Sequence, residues 1–173
     1  MSIAIVPSLI PCYAGSDVGF GMMDLESTRR RIKAFLAAHT TLTLATVAET
    51  GQPQAAPLFF AETETLDLIF ISEQKVRHSQ NIARDQRVAA TVYADGQAWQ
   101  SIQGLQLEGR CEALSPDAAQ VARDVYLTKY PFIAENTFLA EMLDKITFYK
   151  ISPIWIRLID NTQGFGHKEE LRF

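Results

Sequence analysis

The stretch Leu68-Ile69-Phe70-Ile71-Ser72-Glu73-Gln74-Lys75-Val76-Arg77-His78-Ser79-Gln80-Asn81-Ile82 begins as an apolar run and ends as a polar, cation-bearing helical pattern. Leu66, Leu68 and Phe70 alternate with Asp67, Ile69 and Ile71, the two-residue period of a strand with one face buried more deeply than the other. After Ser72 the period changes. Val76, Ser79, Ile82 and Ala83 fall on one face at helical spacing, and Lys75, Arg77 and His78 lie near the first turn. A helix start offers unpaired N–H groups and the positive end of the macrodipole, so a strand-end hydroxyl with neighbouring cations can complete an anion site. In the plainer alternative, Ser72 caps the helix and the cations form a solvated face.

Outward from this junction the chain reads as short strands in hairpins. Upstream, Asp24 or Ser27 can cap a helix with Ile32, Phe35 and Leu36 on its buried stripe, while Arg29, Arg30, Arg31 and Lys33 read as a solvated basic face. Thr41 to Val47 and Gln54 to Phe60 form a hairpin about Glu49-Thr50-Gly51-Gln52, in which Pro57 cannot donate a ladder hydrogen bond and so marks an edge or bulge. Val88 to Tyr93 and Gln100 to Glu112 form another about Asp95-Gly96, with Gly104 and Gly109 as bulges or close-approach points and Trp99 at its mouth. Ser115-Pro116-Asp117 starts a helix with Val121, Ala122, Val125 and Tyr126 on its buried stripe, ended by Tyr130-Pro131. Phe138, Leu139, Met142 and Leu143 mark a shorter helix, followed by strands at Lys145 to Ile151 and Ile154 to Ile159 around Pro153 and a Gly-bearing loop from Asp160 to Lys168. This pattern predicts a mainly β fold with helical additions, a small antiparallel barrel and not a doubly wound sheet. Residues 1–23 read as an N-terminal extension and residues 24–173 as one domain.

Composition narrows the function. With 173 residues, 47% of them hydrophobic, the chain can bury a real core. A formal charge of -4 and a pI near 5.4 argue against a general nucleic-acid or anionic-membrane binder and leave small-molecule or protein partners. Cys12 and Cys111 form no C-x-x-C or Cys/His pattern, so neither a disulfide framework nor a zinc site is expected, and a cytoplasmic location fits. Between Met1 and Gly21, Pro7 and Pro11 interrupt the apolar runs, no Lys or Arg precedes them, and none reaches transmembrane length; this reads as an extension and not a signal peptide. Met22-Met23 stand as alternative translation starts.

Leu42-Thr43-Leu44-Ala45-Thr46, Gly51-Gln52-Pro53-Gln54-Ala55-Ala56-Pro57, the segment from Ser72 to Arg87 and Ile102-Gln103-Gly104 together resemble the flavin-binding split barrels related to pyridoxamine 5'-phosphate oxidase. The likeness runs from Leu25 to Phe165, and Lys75-Val76-Arg77-His78 with Asp160-Asn161-Thr162-Gln163-Gly164-Phe165-Gly166 is most similar to the YhbP-like branch. The resemblance implies an antiparallel split β-barrel that forms a homodimer, with FMN in a cleft between subunits. It places the strand-end hydroxyl on Ser72, beside Ile71, and the basic pair for the FMN phosphate on Arg77 and His78, with Lys75 as an extra cation. Backbone along one side of the isoalloxazine falls around Pro57, Leu58 and Phe59, and Trp99 and Gln103 match positions that reach the cofactor from the partner subunit.

Departures from the family pattern shape the expected activity. His78 stands where Lys is common, and Ala56 and Ala61 stand where the oxidase itself carries basic residues, so pyridoxamine phosphate oxidation is not expected. The resemblance leads to an FMN-binding oxidoreductase whose flavin accepts hydride while the protein supplies positioning and electrostatics. The alternative is a non-catalytic protein that binds or senses a flavin, a deazaflavin or haem. No catalytic acid or base is assigned; His39 reads as a helix-end residue and His167 as a tail residue.

Overall fold

In the computed structural model, which describes residues 25–173, the chain runs α1 (Leu25–Ala37), β1 (Thr41–Val47), β2 (Pro53–Phe59), β3 (Ala61–Glu62), β4 (Leu68–Ser72) and α2 (Arg77–Arg84). It continues through β5 (Arg87–Tyr93), β6 (Gln103–Ala113), α3 (Pro116–Lys129), α4 (Phe132–Glu135), α5 (Thr137–Leu143), β7 (Thr147–Asp160) and β8 (Lys168–Arg172). The expected extension 1–23 and the candidate cap Asp24 lie outside the described residues; Ser27 lies inside α1.

Every strand pair is antiparallel, in the order β2-β1-β5-β6-β7-β4-β3, with β8 beside β7. The strands at the two ends of this order, β2 and β3, are separated in sequence by Phe60 alone, so connectivity forces the sheet to curl on itself. At the turning point the β1–β2 pairing runs one residue further, Phe60 N donating to Thr40 O at 3.1 Å, and Tyr130 Oη reaches Thr40 O at 3.0 Å and Phe60 O at 2.6 Å. Pro57 sits where the sequence requires, in an end strand paired only with β1.

The two strands expected around Pro153 are one. β6 pairs along β7 from Tyr149 to Asp160, while the other edge of β7 is divided, Thr147 to Ile151 taking β4 and Trp155 to Ile159 taking β8. Pro153 falls between those two registers, where its missing N–H removes no β4 or β8 pairing. Opposite it the β6 register shifts at Glu108/Gly109. A Cβ on Gly109 would stand 2.6 Å from Ser152 O and 3.1 Å from Pro153 Cα, so this is a true close approach; at Gly104 the nearest atom would be 3.7 Å away.

β4 divides two apolar clusters. Leu68 and Phe70 join Ile32, Leu36, Leu44 and Ile156 inside the barrel, each worth about 1.5–3 kcal/mol as a fully buried large side chain. Ile69 faces the other way, to Tyr126, Tyr130, Leu143 and Phe148. Ala122 and Tyr126 are buried as expected, but Val121 is 67% exposed: the helix turns that residue away from the sheet.

The loop after Asp160 gives way to a strand that the polar sequence Lys168-Glu169-Glu170-Leu171-Arg172 conceals. Glu169 is buried because Thr28 Oγ1 donates to it at 3.0 Å and Arg31 pairs with it, the same Arg31 bonding Asp160 at 2.6 Å. Arg31 therefore belongs to a buried clamp between α1 and the β7–β8 corner and not to a solvated stripe. Burial alone would raise both acids. Hydrogen bonds from His167 and Thr28 to Glu169, and from Thr162 and Gln103 to Asp160, together with the Arg31 charge, outweigh it and hold both carboxyls below their ordinary values.

The contact at Gly109 is directly testable. Gly109→Ala must push back the Ser152 carbonyl and is expected to lower the stability read from urea denaturation by about 1–3 kcal/mol, the usual cost of overpacking. Gly104→Ala, with room for its methyl, should stay much closer to the native protein. Equal stability for both variants would mean that the strands can separate at Gly109 without cost.

Candidate functional site

The end of β4 and the start of α2 meet at Ser72 and His78. Ser72 shares the barrel-side face of β4 with Leu68 and Phe70 by alternation, and it is not the helix cap: Val76 takes that position in extended conformation, with no side-chain cap bond. Instead Ser72 Oγ lies 2.7 Å from His78 Nε2. His78 is half-buried, its ring edge-on to Phe70 at 6.3 Å, and burial pushes its pKa below 6.5, favouring the neutral ring at neutral pH. A neutral imidazole carries one donor and one acceptor nitrogen, so the pair can run its hydrogen bond in either direction.

Arg77 opens the helix, exposed and without an acceptor among the described residues. Lys75 is also exposed, but it pairs with Glu73 at 2.7 Å, so its charge is already balanced. Asn81, buried on the inner face of the same helix, donates to Thr46 Oγ1 at 3.0 Å and Gln54 Oε1 at 2.9 Å. These bonds fasten α2 to β1 and β2 and fix where Arg77 stands. An Asn beside Ile82 on the apolar face was the available signal for this role.

Phe59 and Ile71 meet in a second feature, a cavity of 330 Å³ between the strands and α3 to α5. Ile71 lies on the face of β4 opposite Ser72, so the strand presents an apolar cavity on one side and the polar pair on the other. Of the three β2 residues named from sequence, Phe59 lines the cavity, Pro57 is exposed, and Leu58 packs against the barrel core. The far wall includes Tyr126, placed by its spacing on a buried stripe, Tyr130, read from sequence as a helix end, and Leu139 and Met142, read only as marking a short helix.

Trp99 and Gln103 lie elsewhere. Gln103 pairs with Asp160 at one end of β7 and Ser72 with Thr147 at the other, roughly 40 Å apart along a strand that rises about 3.3 Å per residue. Gln97 brackets the Gln103 backbone with bonds of 2.7 and 2.9 Å, and the exposed Trp99 ring meets Phe165 edge-on at 6.1 Å. One chain does not bring these residues to the Ser72–His78 pair. His39 stacks on Phe35 at the end of α1, and His167 stands 3.1 Å from Glu169.

Other chemistries find little support among the described residues. No group of three or more His, Cys, Asp or Glu side chains could hold a metal ion there. Burial pushes the Cys111 thiol up to about 12, which removes it as a nucleophile at neutral pH. Among the described residues no helix is long and apolar enough to cross a membrane.

An antiparallel sheet curled on itself, divided along one long strand and flanked by short helices, is the architecture of the split barrels. The chain belongs to the pyridoxamine 5'-phosphate oxidase family, whose model it matches over residues 28–160. It is similar to a UPF0306 protein of Pasteurella multocida, 27% identical over 83% of this chain and 91% of the relative. Among solved structures it resembles a conserved hypothetical protein of Mycobacterium tuberculosis, with a TM-score of 0.67 at 23% identity over 80% of this chain and 88% of that one. It also resembles a haem-binding protein of Mycobacterium smegmatis, with a TM-score of 0.66 at 17% identity over 83% of this chain and 57% of that one. Likeness at these identities is likeness of fold.

The enclosed histidine yields a prediction for the protein without ligand. The His78 ring proton, assigned by its loss in His78→Gln, should titrate by NMR below pH 6.5. Because the folded-state value is lowered, the unfolded chain binds the proton first, and His78 should destabilise the fold as pH falls through 6.5. A midpoint at or above 6.5 would show that the ring is solvated or faces an anion.

Proposed function

We propose that the protein is an FMN-binding flavoprotein of the oxidoreductase class, with each cofactor held between two copies of the chain. The observation that carries this reading is Arg77: a guanidinium with no protein acceptor among the described residues, at an uncapped helix start beside the Ser72–His78 pair. A phosphate monoester suits that arrangement. Arginine can bind it bidentately, the first-turn N–H groups point towards it, and the Ser72–His78 pair can donate one hydrogen bond while His78 is neutral and one from each residue once it is protonated. Lys75, tied to Glu73, adds only a screened outer charge.

The strands supply the rest of the proposed site. β2 is an end strand, so the backbone at Pro57, Leu58 and Phe59 has one edge without a ladder partner, and Phe59 and Ile71 offer apolar surface to a ring system. Trp99 and Gln103 enter only from a second copy, since β7 holds them at its far end; two-fold pairing would bring them in from the partner. Bound FMN supplies the capacity to accept and donate hydride. The chain itself anchors the phosphate, orients the ring and excludes water. Haem is the competing occupant, because one solved structure of the same fold is a haem-binding protein; a Soret band in place of flavin absorption in the purified protein would favour it.

Arg77→Ala should weaken FMN by about 1.5–3 kcal/mol, the range for hydrogen bonds to charged groups, and leave riboflavin nearly unchanged in fluorescence titrations. The phosphate should also draw a proton onto His78, whose contribution is full below its free-state pKa and fades as pH rises through the bound-state value. His78→Lys should keep its FMN affinity on the alkaline side. Equal losses for FMN and riboflavin in Arg77→Ala would remove the phosphate from this site.

A further inference from the structure

The cavity beside β4 has a composition that packing does not explain. Its volume of 330 Å³ is at the small end of ligand pockets, which run about 300–1,000 Å³. Phe132, Phe138 and Met142 on its rim are 54%, 68% and 44% exposed, an apolar concentration that a surface built only for solubility would not carry. No charged side chain lines it. An ionised ligand would lose its hydration there without gaining a partner, so the occupant must be neutral and largely apolar.

Two tyrosines form part of the wall, and they differ. The Tyr130 hydroxyl is committed to Thr40 O and Phe60 O. Tyr126 is only 3% exposed, and its ring is held by Tyr130 at 4.8 Å and by Phe148 edge-on at 6.1 Å, yet its hydroxyl has no partner among the described residues. Among those residues Ser79 Oγ is the fully enclosed side-chain polar atom without a partner, so the equally unpaired Tyr126 Oη keeps access to open space. Tyr126 is one of the residues that line the cavity. Burial pushes this phenol upward, so it stays protonated and can donate at any working pH.

We infer that this cavity binds a compact, neutral, ring-bearing molecule with one hydrogen-bond acceptor, of the aryl carbonyl class, docked with its oxygen on Tyr126 Oη. Aromatic walls accept the ring, and one fixed donor sets its orientation. The inference goes beyond the flavin reading and does not require it, because every residue it uses belongs to one chain. Phe59 and Ile71 are common to both, so flavin content must be measured on the same samples.

Acetylnaphthalene is a suitable probe, with its isosteric hydrocarbon isopropenylnaphthalene as the control that lacks the acceptor. Both should bind the purified full chain saturably. Tyr126→Phe should weaken acetylnaphthalene about fivefold, within the range of one neutral hydrogen bond, and leave the hydrocarbon unchanged. Met142→Trp, introduced at a lining position that is 44% exposed, should fill the cavity and abolish both. The inference is overturned if the ketone does not bind saturably, if it binds native protein and Tyr126→Phe equally, or if Met142→Trp leaves binding intact. Flavin absorbance in the same samples separates this outcome from that of the cofactor reading: colourless protein that binds the ketone through Tyr126 sustains the cavity and defeats the flavin, and yellow protein that ignores the ketone does the reverse.

Discussion

The crossing of β6 and β7 at Gly109, Ser152 and Pro153 is the contact on which the rest of the architecture depends. Only a residue without a Cβ lets the strands meet there, and only a position between two partner registers tolerates a proline in mid-strand. At that point β7 changes neighbours, from β4 to β8, while β6 continues past on the other edge. One end of β7 therefore serves the Ser72–His78 pair and the other the Trp99–Gln103 corner. The split of the barrel and the separation of the two proposed halves of the site have one cause.

Much of this was legible in the residues. Alternation through Leu68 to Ile71, the change of period after Ser72, the turn chemistry of the hairpins and Pro57 as an edge marker all correspond to what the chain does. Each depends on local geometry. What escaped depends on partners distant in sequence. β8 is polar because Thr28 and Arg31, about 140 residues upstream, neutralise its buried Glu169. Pro153 reads as a strand breaker until the division of neighbours along β7 is known. Ser72 reads equally as a cap or as an anion-site hydroxyl because the distance to His78 depends on the path of the intervening loop, and Tyr126 reads as core because spacing does not reveal whether a hydroxyl finds a partner.

β4 joins the polar and apolar chemistry. Its two faces carry different clusters, so a single strand puts a hydroxyl–imidazole pair and an apolar cavity on opposite sides of one sheet layer. Asn81 and Tyr130 stabilise this arrangement from either side, the first pinning α2 to β1 and β2, the second bridging the start of β1 and the end of β2. A helix start fixed in this way can keep an unpaired arginine in position before any ligand arrives, which reduces the ordering cost of binding.

The central claim is a site shared between two copies, and subunit complementation tests it most directly. Arg77→Ala and Trp99→Ala variants, each impaired in FMN binding alone, are unfolded together and refolded as a mixture. A mixed dimer built as proposed contains one site with both changes and one with neither, so native-affinity FMN binding should return to about a quarter of the sites under random pairing. Recovery of that fraction supports the shared site. No recovery in a mixture shown to contain mixed dimers, or full FMN affinity in a monomer, would contradict it.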